Sequence, residues 1–133
     1  MTKLSRRQFI AITAASFVAS VAKGEQLMTT KTQLIHTAYF WLKNSDSTAD
    51  RDQLIAGLQT LRQIPAVKTL HIGLPATTEK RDVVDNSFHV SELMMFDDLA
   101  AQSEYQAHPI HLAFVKNCSH LWSKVAVKDS ITV

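Results

Sequence analysis

Leu34-Ile35-His36-Thr37-Ala38-Tyr39-Phe40-Trp41-Leu42-Lys43 is the most informative stretch of this 133-residue chain. It is rich in Ile, Thr, Tyr, Phe and Trp, a strand composition. Both of its alternating faces are apolar: Ile35, Tyr39 and Trp41 on one, Ala38, Phe40 and Leu42 on the other. A sheet with one wet face would alternate apolar with polar. This strand therefore needs covering on both sides.

Downstream, Asp46-Ser47-Thr48-Ala49-Asp50 offers a helix cap, with Ser47 and Asp50 at capping-box spacing. Leu54, Ile55, Leu58 and Leu61 follow at helical spacing, and Pro65 closes the helix. Ala66 to Leu74 is predicted to be a second strand, the polar stretch Ala76 to Asn86 a loop, and Ser87 to Phe96 a third strand, again apolar on both faces. A short helix from Asp97 to about Ala107 meets His108-Pro109. Proline disfavours helical geometry for His108 but suits the first turn of a new helix. That helix carries Ile110, Phe114, Cys118, Leu121 and Trp122 on one face, and Lys124 to Val133 supplies a fourth strand. The lone Cys118 is expected in the core, and no intrachain disulfide can form.

Strand, helix, strand, strand, helix, strand is the split βαβ pattern of an α+β, ferredoxin-like fold with an antiparallel four-stranded sheet. Helices cover one face of such a sheet. The other apolar face marks an interaction site, and its simplest occupant is a second copy, the two sheets closing as a dimeric α/β barrel.

Upstream, Lys3, Arg6 and Arg7 precede an apolar run from Phe9 that exits in Ser20-Val21-Ala22, the layout of a signal peptide. The 14 residues from Phe9 to Ala22 include Thr13, Ser16 and Ser20 and are too few and too polar to remain as an anchor. Ser5-Arg6-Arg7-Gln8-Phe9-Ile10 resembles the twin-arginine consensus, with Ala11 where lysine is usual, so the partner expected is the twin-arginine export machinery and the destination the periplasm. An ordinary secretory signal, cleavage at Ala19 or Ala15 instead of Ala22, and a start at Met28 are the alternatives. Residues 1–22 are then the signal, 23–33 a linker and 34–133 the domain. Removing three of 14 basic residues leaves 11 Lys and Arg against 12 Asp and Glu, a formal charge of −1. The remaining 111 residues suit one domain with a single core. They hold no basic cluster for nucleic acid and no polybasic membrane patch.

Leu34-Ile35-His36 at the head of the first strand, the apolar run through Phe96, and Glu104-Tyr105-Gln106-Ala107-His108-Pro109-Ile110-His111 together resemble the stress-responsive A/B-barrel (Dabb) family over essentially the whole chain after the signal. The resemblance implies a dimer. In the plant olivetolic acid cyclase branch of that family, a tyrosine and a histidine of this tract close a linear polyketide by aldol condensation. By that resemblance Tyr105 and His111 are the candidate catalytic pair, His36 and His89 line the pocket, and Phe40 and His108 complete the candidate substrate-binding set. A one-residue spacing difference separates His89 from the family pattern, and a slip of one moves a residue to the opposite face of a strand. The cyclase substrate does not transfer to an exported protein.

The chemistry such a pair can perform needs neither metal nor organic cofactor. A neutral imidazole removes a proton alpha to a carbonyl, while a phenol donates a hydrogen bond to the enolate oxygen. Tyr105 and His111 are six apart, about 600° on an unbroken helix, and so face different ways unless His108-Pro109 corrects them. Each residue also has a packing account: Tyr105 and His111 as satisfied core residues, His108 as a cap or hinge. Glu104, His108 and His111 raise the question of a metal, yet no HExxH motif or cysteine pair accompanies them, and none is expected.

Two readings follow: cofactor-free acid/base chemistry on a small apolar carbonyl compound, or a non-catalytic, stress-protective dimer. A cavity shared by His36, Tyr105 and His111 would favour the first. A solid core with His111 bonded to backbone would favour the second. A monooxygenase-like or haem-handling protein is a third reading, by analogy of fold alone.

Overall fold

The computed structural model describes residues 31–133. The signal, its cleavage site, the Met28 start and most of the linker lie outside them. The elements run β1 (Leu34–Leu42), α1 (Thr48–Thr60), β2 (Thr69–Gly73), β3 (Val90–Phe96), α2 (Leu99–Ala107), α3 (Pro109–Cys118) and β4 (Trp122–Ile131), with 3-10 turns at Leu61–Gln63 and Ser119–Leu121. The four strands form one antiparallel sheet in the order β2-β3-β1-β4. This is the ferredoxin-like α+β fold the pattern predicts.

Local chemistry sets the boundaries. Ser47 caps α1 by accepting a hydrogen bond from the Asp50 amide at 3.1 Å, and Asp98 caps α2 by accepting from the Ala101 amide at 2.8 Å. The α1 and α3 helices meet at Gly57, where a β-carbon would lie 2.5 Å from Sγ of Cys118. Cys118 is buried in the core, and burial pushes its thiol pKa up.

Along β1 every second residue from Leu34 to Leu42 is buried, and along β3 the same holds from Val90 to Phe96. That face carries the helices and the core of Phe40, Leu54, Leu58, Met94, Phe96, Tyr105 and Phe114. The opposite face presents Ile35, Tyr39 and Trp41 of β1 beside Leu93 and Met95 of β3, all half-buried. No described helix packs there.

The last strand begins earlier than the sequence pattern predicts. Cys118 ends α3, Leu121 lies in the 3-10 turn, and Trp122 opens β4 instead of closing the helix. Trp122 pairs with Leu42 while Lys124 pairs with Trp41, so Ser123 is an extra residue in the ladder. Such a bulge re-aims a side chain. Here it puts Trp122 on the helix-bearing face with Val125 and Val127, against Phe40 and Phe114 at ring-centroid distances of 5.2 and 5.8 Å.

Candidate functional site

Between the sheet and the α2–α3 break lies a cavity of about 150 Å³, lined by His36, Ala38, Phe40, Glu92, Tyr105, Gln106, His111, Phe114, Trp122 and the valines 115, 125 and 127. Val115, Val125 and Val127 are exposed and mark its mouth, between α3 and β4. A volume of this order accepts a benzene-sized ring.

The break in the helix builds one wall. His108 is extended, with φ −67° and ψ 138°, so α2 stops at Ala107 and α3 restarts at Pro109. Nδ1 of His108 accepts the Ile110 amide at 3.1 Å, capping the new helix. The redirected chain brings the Tyr105 and His111 rings to a centroid distance of 4.5 Å. Two side chains that an unbroken helix would separate thus share one cavity.

Their hydrogen bonding assigns roles. Nδ1 of His111 lies 3.1 Å from the Gln106 carbonyl oxygen. A carbonyl only accepts, so Nδ1 carries the proton and Nε2 holds the free lone pair. Partial burial lowers the His111 pKa, against the raising effect of the Gln106 bond, and a charge on His36 would lower it further. The ring is therefore neutral and basic at neutral pH. Tyr105 is 1% exposed, and burial, followed by the neighbouring Glu92, pushes its pKa well above the usual phenol value. It stays protonated, a hydrogen-bond donor.

The sheet supplies the other wall. His36, 4% exposed, bonds Oδ1 of its cross-strand partner Asp129 through Nδ1 at 2.6 Å. Its ring centroid is 6.0 Å from that of Tyr105. Its Nε2 lies 3.8 Å from Oε1 of Glu92, a diagonal neighbour on β3. Phe40 contributes an apolar floor.

The structure therefore brings Tyr105, His111, His36 and Phe40 together and leaves two of the expected residues outside the lining. His89 precedes β3 on the opposite parity from Val90 and Glu92, and its Nδ1 accepts the Leu42 amide at 2.9 Å. A step of one residue along the chain puts it off this face. His108 is occupied as a cap. The expected alternative of a solid core is met only halfway: His111 is bonded to backbone through one nitrogen, yet the cavity beside it is open. Among the described residues no three His, Cys, Asp or Glu side chains are placed to hold a metal ion.

Sequence reasoning missed Glu92 and Trp122. The signal for Glu92 was present: a lone carboxylate at the buried positions of a strand otherwise filled by Val90, Met94 and Phe96. Trp122 gave none, because a one-residue bulge leaves no mark in composition.

Comparison with known proteins places this chain in a family. A Dabb family protein with a ferredoxin-like fold from Mesorhizobium loti is 25% identical, covers 77% of this chain and 98% of its own, and superposes with a TM-score of 0.63. A hydroxynitrile lyase from Passiflora edulis is 24% identical over 76% of this chain and 94% of its own, with a TM-score of 0.65. A dimeric ferredoxin-like protein of unknown function from Thermobifida fusca is 18% identical over 80% and 96%, with a TM-score of 0.62. No curated protein matches the chain. Residues 34–132 match the stress-responsive A/B barrel domain, and the chain belongs to that family.

Proposed function

We propose that this is an exported, homodimeric Dabb protein that binds a small apolar carbonyl compound in the cavity and performs cofactor-free acid/base chemistry on it. The observation that carries the reading is the Tyr105–His111 pair, 4.5 Å apart and sharing one small cavity. The His111 tautomer is fixed by Gln106, leaving Nε2 as base, and the Tyr105 phenol stays protonated as donor. His111 Nε2 removes the proton alpha to the carbonyl. The C–H electron pair becomes the enolate double bond, and the Tyr105 hydroxyl hydrogen-bonds the oxygen that gains charge.

The uncovered apolar face of Ile35, Tyr39, Trp41, Leu93 and Met95 supports the dimer, and solved proteins of this fold include ones described as dimeric. The fold also accommodates lyase chemistry, as in the Passiflora enzyme, but the reading here rests on this chain's own residues. Ser5-Arg6-Arg7-Gln8-Phe9-Ile10 supports export through the twin-arginine pathway to the periplasm.

The test is enolisation of acetophenone in deuterium oxide, followed by loss of the methyl proton signal in NMR. Wild-type protein should exchange these protons faster than buffer, and His111→Ala should not. Exchange no faster than buffer would contradict the reading. A non-catalytic ligand-binding dimer is the second reading, favoured by the backbone bond of His111, and saturable binding without exchange would establish it.

A further inference from the structure

The acid/base pair occupies the helical wall of the cavity, and the sheet wall opposite carries a carboxyl group with no part in that chemistry. Glu92 sits on β3 between Ala38 of β1 and Ile72 of β2, is 3% exposed, and lines the cavity. Its Oε1 lies 3.8 Å from Nε2 of His36, whose other nitrogen is held by Asp129. Its Oε2 is buried with no hydrogen-bond partner among the described residues. The other titratable groups lining this space are Tyr105 from α2 and His111 from α3, and no lysine or arginine lines it.

A buried polar atom without a partner is destabilising, and an apolar side chain of similar volume would pack there at less cost. The arrangement is economical only if something arriving in the cavity supplies the missing partner. His36 approaches Oε1 only to 3.8 Å, beyond hydrogen-bond length, so the carboxyl group is left for the guest.

We propose that Glu92 is the ligand-orienting group of this cavity: its carboxyl group hydrogen-bonds the oxygen of an aldehyde, ketone or alcohol whose apolar body is about the size of a benzene ring. This rests on the reading of the cavity as a site for small carbonyl compounds, and it assigns the sheet wall to recognition and the helical wall to proton transfer. Desolvation pushes the Glu92 pKa up to about 8. At neutral pH the group is a carboxylic acid and donates, so it selects a neutral acceptor over an ammonium ion.

The experiment compares acetophenone with ethylbenzene, which lacks the oxygen, on the purified full protein by calorimetry and infrared difference spectroscopy. At pH 7 wild-type protein should show a carboxylic acid carbonyl band that is absent from Glu92→Gln and that shifts when acetophenone, but not ethylbenzene, is added. Acetophenone should bind about ten-fold more weakly to Glu92→Leu, while ethylbenzene binds no worse. Glu92→Gln, nearly the same shape and still a donor, should retain acetophenone binding. An unmoved acid band, or equal acetophenone affinity in wild type and Glu92→Leu, would overturn the assignment while leaving the cavity and its base in place. If neither probe binds wild type, the pocket reading itself falls and this assignment with it.

Discussion

The Tyr105 and His111 rings lie 4.5 Å apart although six residues separate them, because the extended backbone of His108 interrupts the helix between them. The catalytic reading depends on that interruption, and replacing His108-Pro109 by Ala-Ala tests it directly. Without the proline and the imidazole cap, α2 and α3 should fuse. Helical signal in circular dichroism should rise while acetophenone exchange falls to the buffer rate. Retained exchange with a fused helix would show that the pair need not converge.

Removing the reacting groups singly should separate their tasks. Loss of the base in His111→Ala is expected to slow exchange about 10²- to 10⁴-fold, and loss of the donor in Tyr105→Phe about 10²- to 10³-fold. Sedimentation and melting of both variants should match wild type. A variant that loses its fold instead would assign that residue to packing.

How far the sequence could be read follows from the same residues. Apolar faces on both sides of Leu34–Leu42, the cap at Ser47 and the punctuation at Pro109 are local signals, and they led to the observed topology. The convergence of Tyr105 with His111 could be required but not demonstrated, since it depends on the backbone angles of His108. His89 was misplaced because strand parity inverts with a single residue, and Trp122 because a bulge at Ser123 changes both its element and its direction. Glu92 was overlooked although its position among Val90, Met94 and Phe96 was visible.

The pH dependence of stability should carry the signature of Glu92. Its folded-state pKa is raised from 4.5 to about 8 by desolvation. Between those values the unfolded chain has released a proton that the folded protein keeps, so this group's contribution to stability falls as pH rises. Wild type should lose melting temperature across that window more steeply than Glu92→Gln. Glu92→Leu, which removes the unpartnered oxygen, should be more stable at neutral pH by about 1–3 kcal/mol. Equal pH slopes in wild type and Glu92→Gln would show that the carboxyl ionises normally.

Exchange activity should follow two groups with opposite demands. The base must be neutral, and burial lowers the His111 pKa below the usual imidazole value, so the acidic limb should lie on the acid side of a free histidine's. Glu92 must be protonated, so the rate should decline as pH passes about 8. A pH profile of kcat/KM checks both limbs. The alkaline limb should disappear in Glu92→Gln.

The open sheet face predicts its own outcome. Leu93 pairs with Thr37 on one side and His71 on the other, at the middle of that face. Leu93→Asp would place an unpaired charge in a face-to-face dimer, at about 3–5 kcal/mol, or roughly a 10²- to 10⁴-fold weaker dimer. Analytical ultracentrifugation should show wild type as a dimer and the variant as a monomer. A dimer that survives the substitution would place the interface elsewhere.

The central claim is that the cavity between sheet and broken helix receives a small carbonyl compound, and a crystal structure of the protein with acetophenone tests it most directly. The phenyl ring should lie against Phe40, Phe114 and Trp122, the oxygen within hydrogen-bonding distance of the Tyr105 hydroxyl or the Glu92 carboxyl group, and the methyl carbon facing His111 Nε2. An empty, collapsed cavity at saturating acetophenone, or a ring bound only on the open face of the sheet, would contradict it.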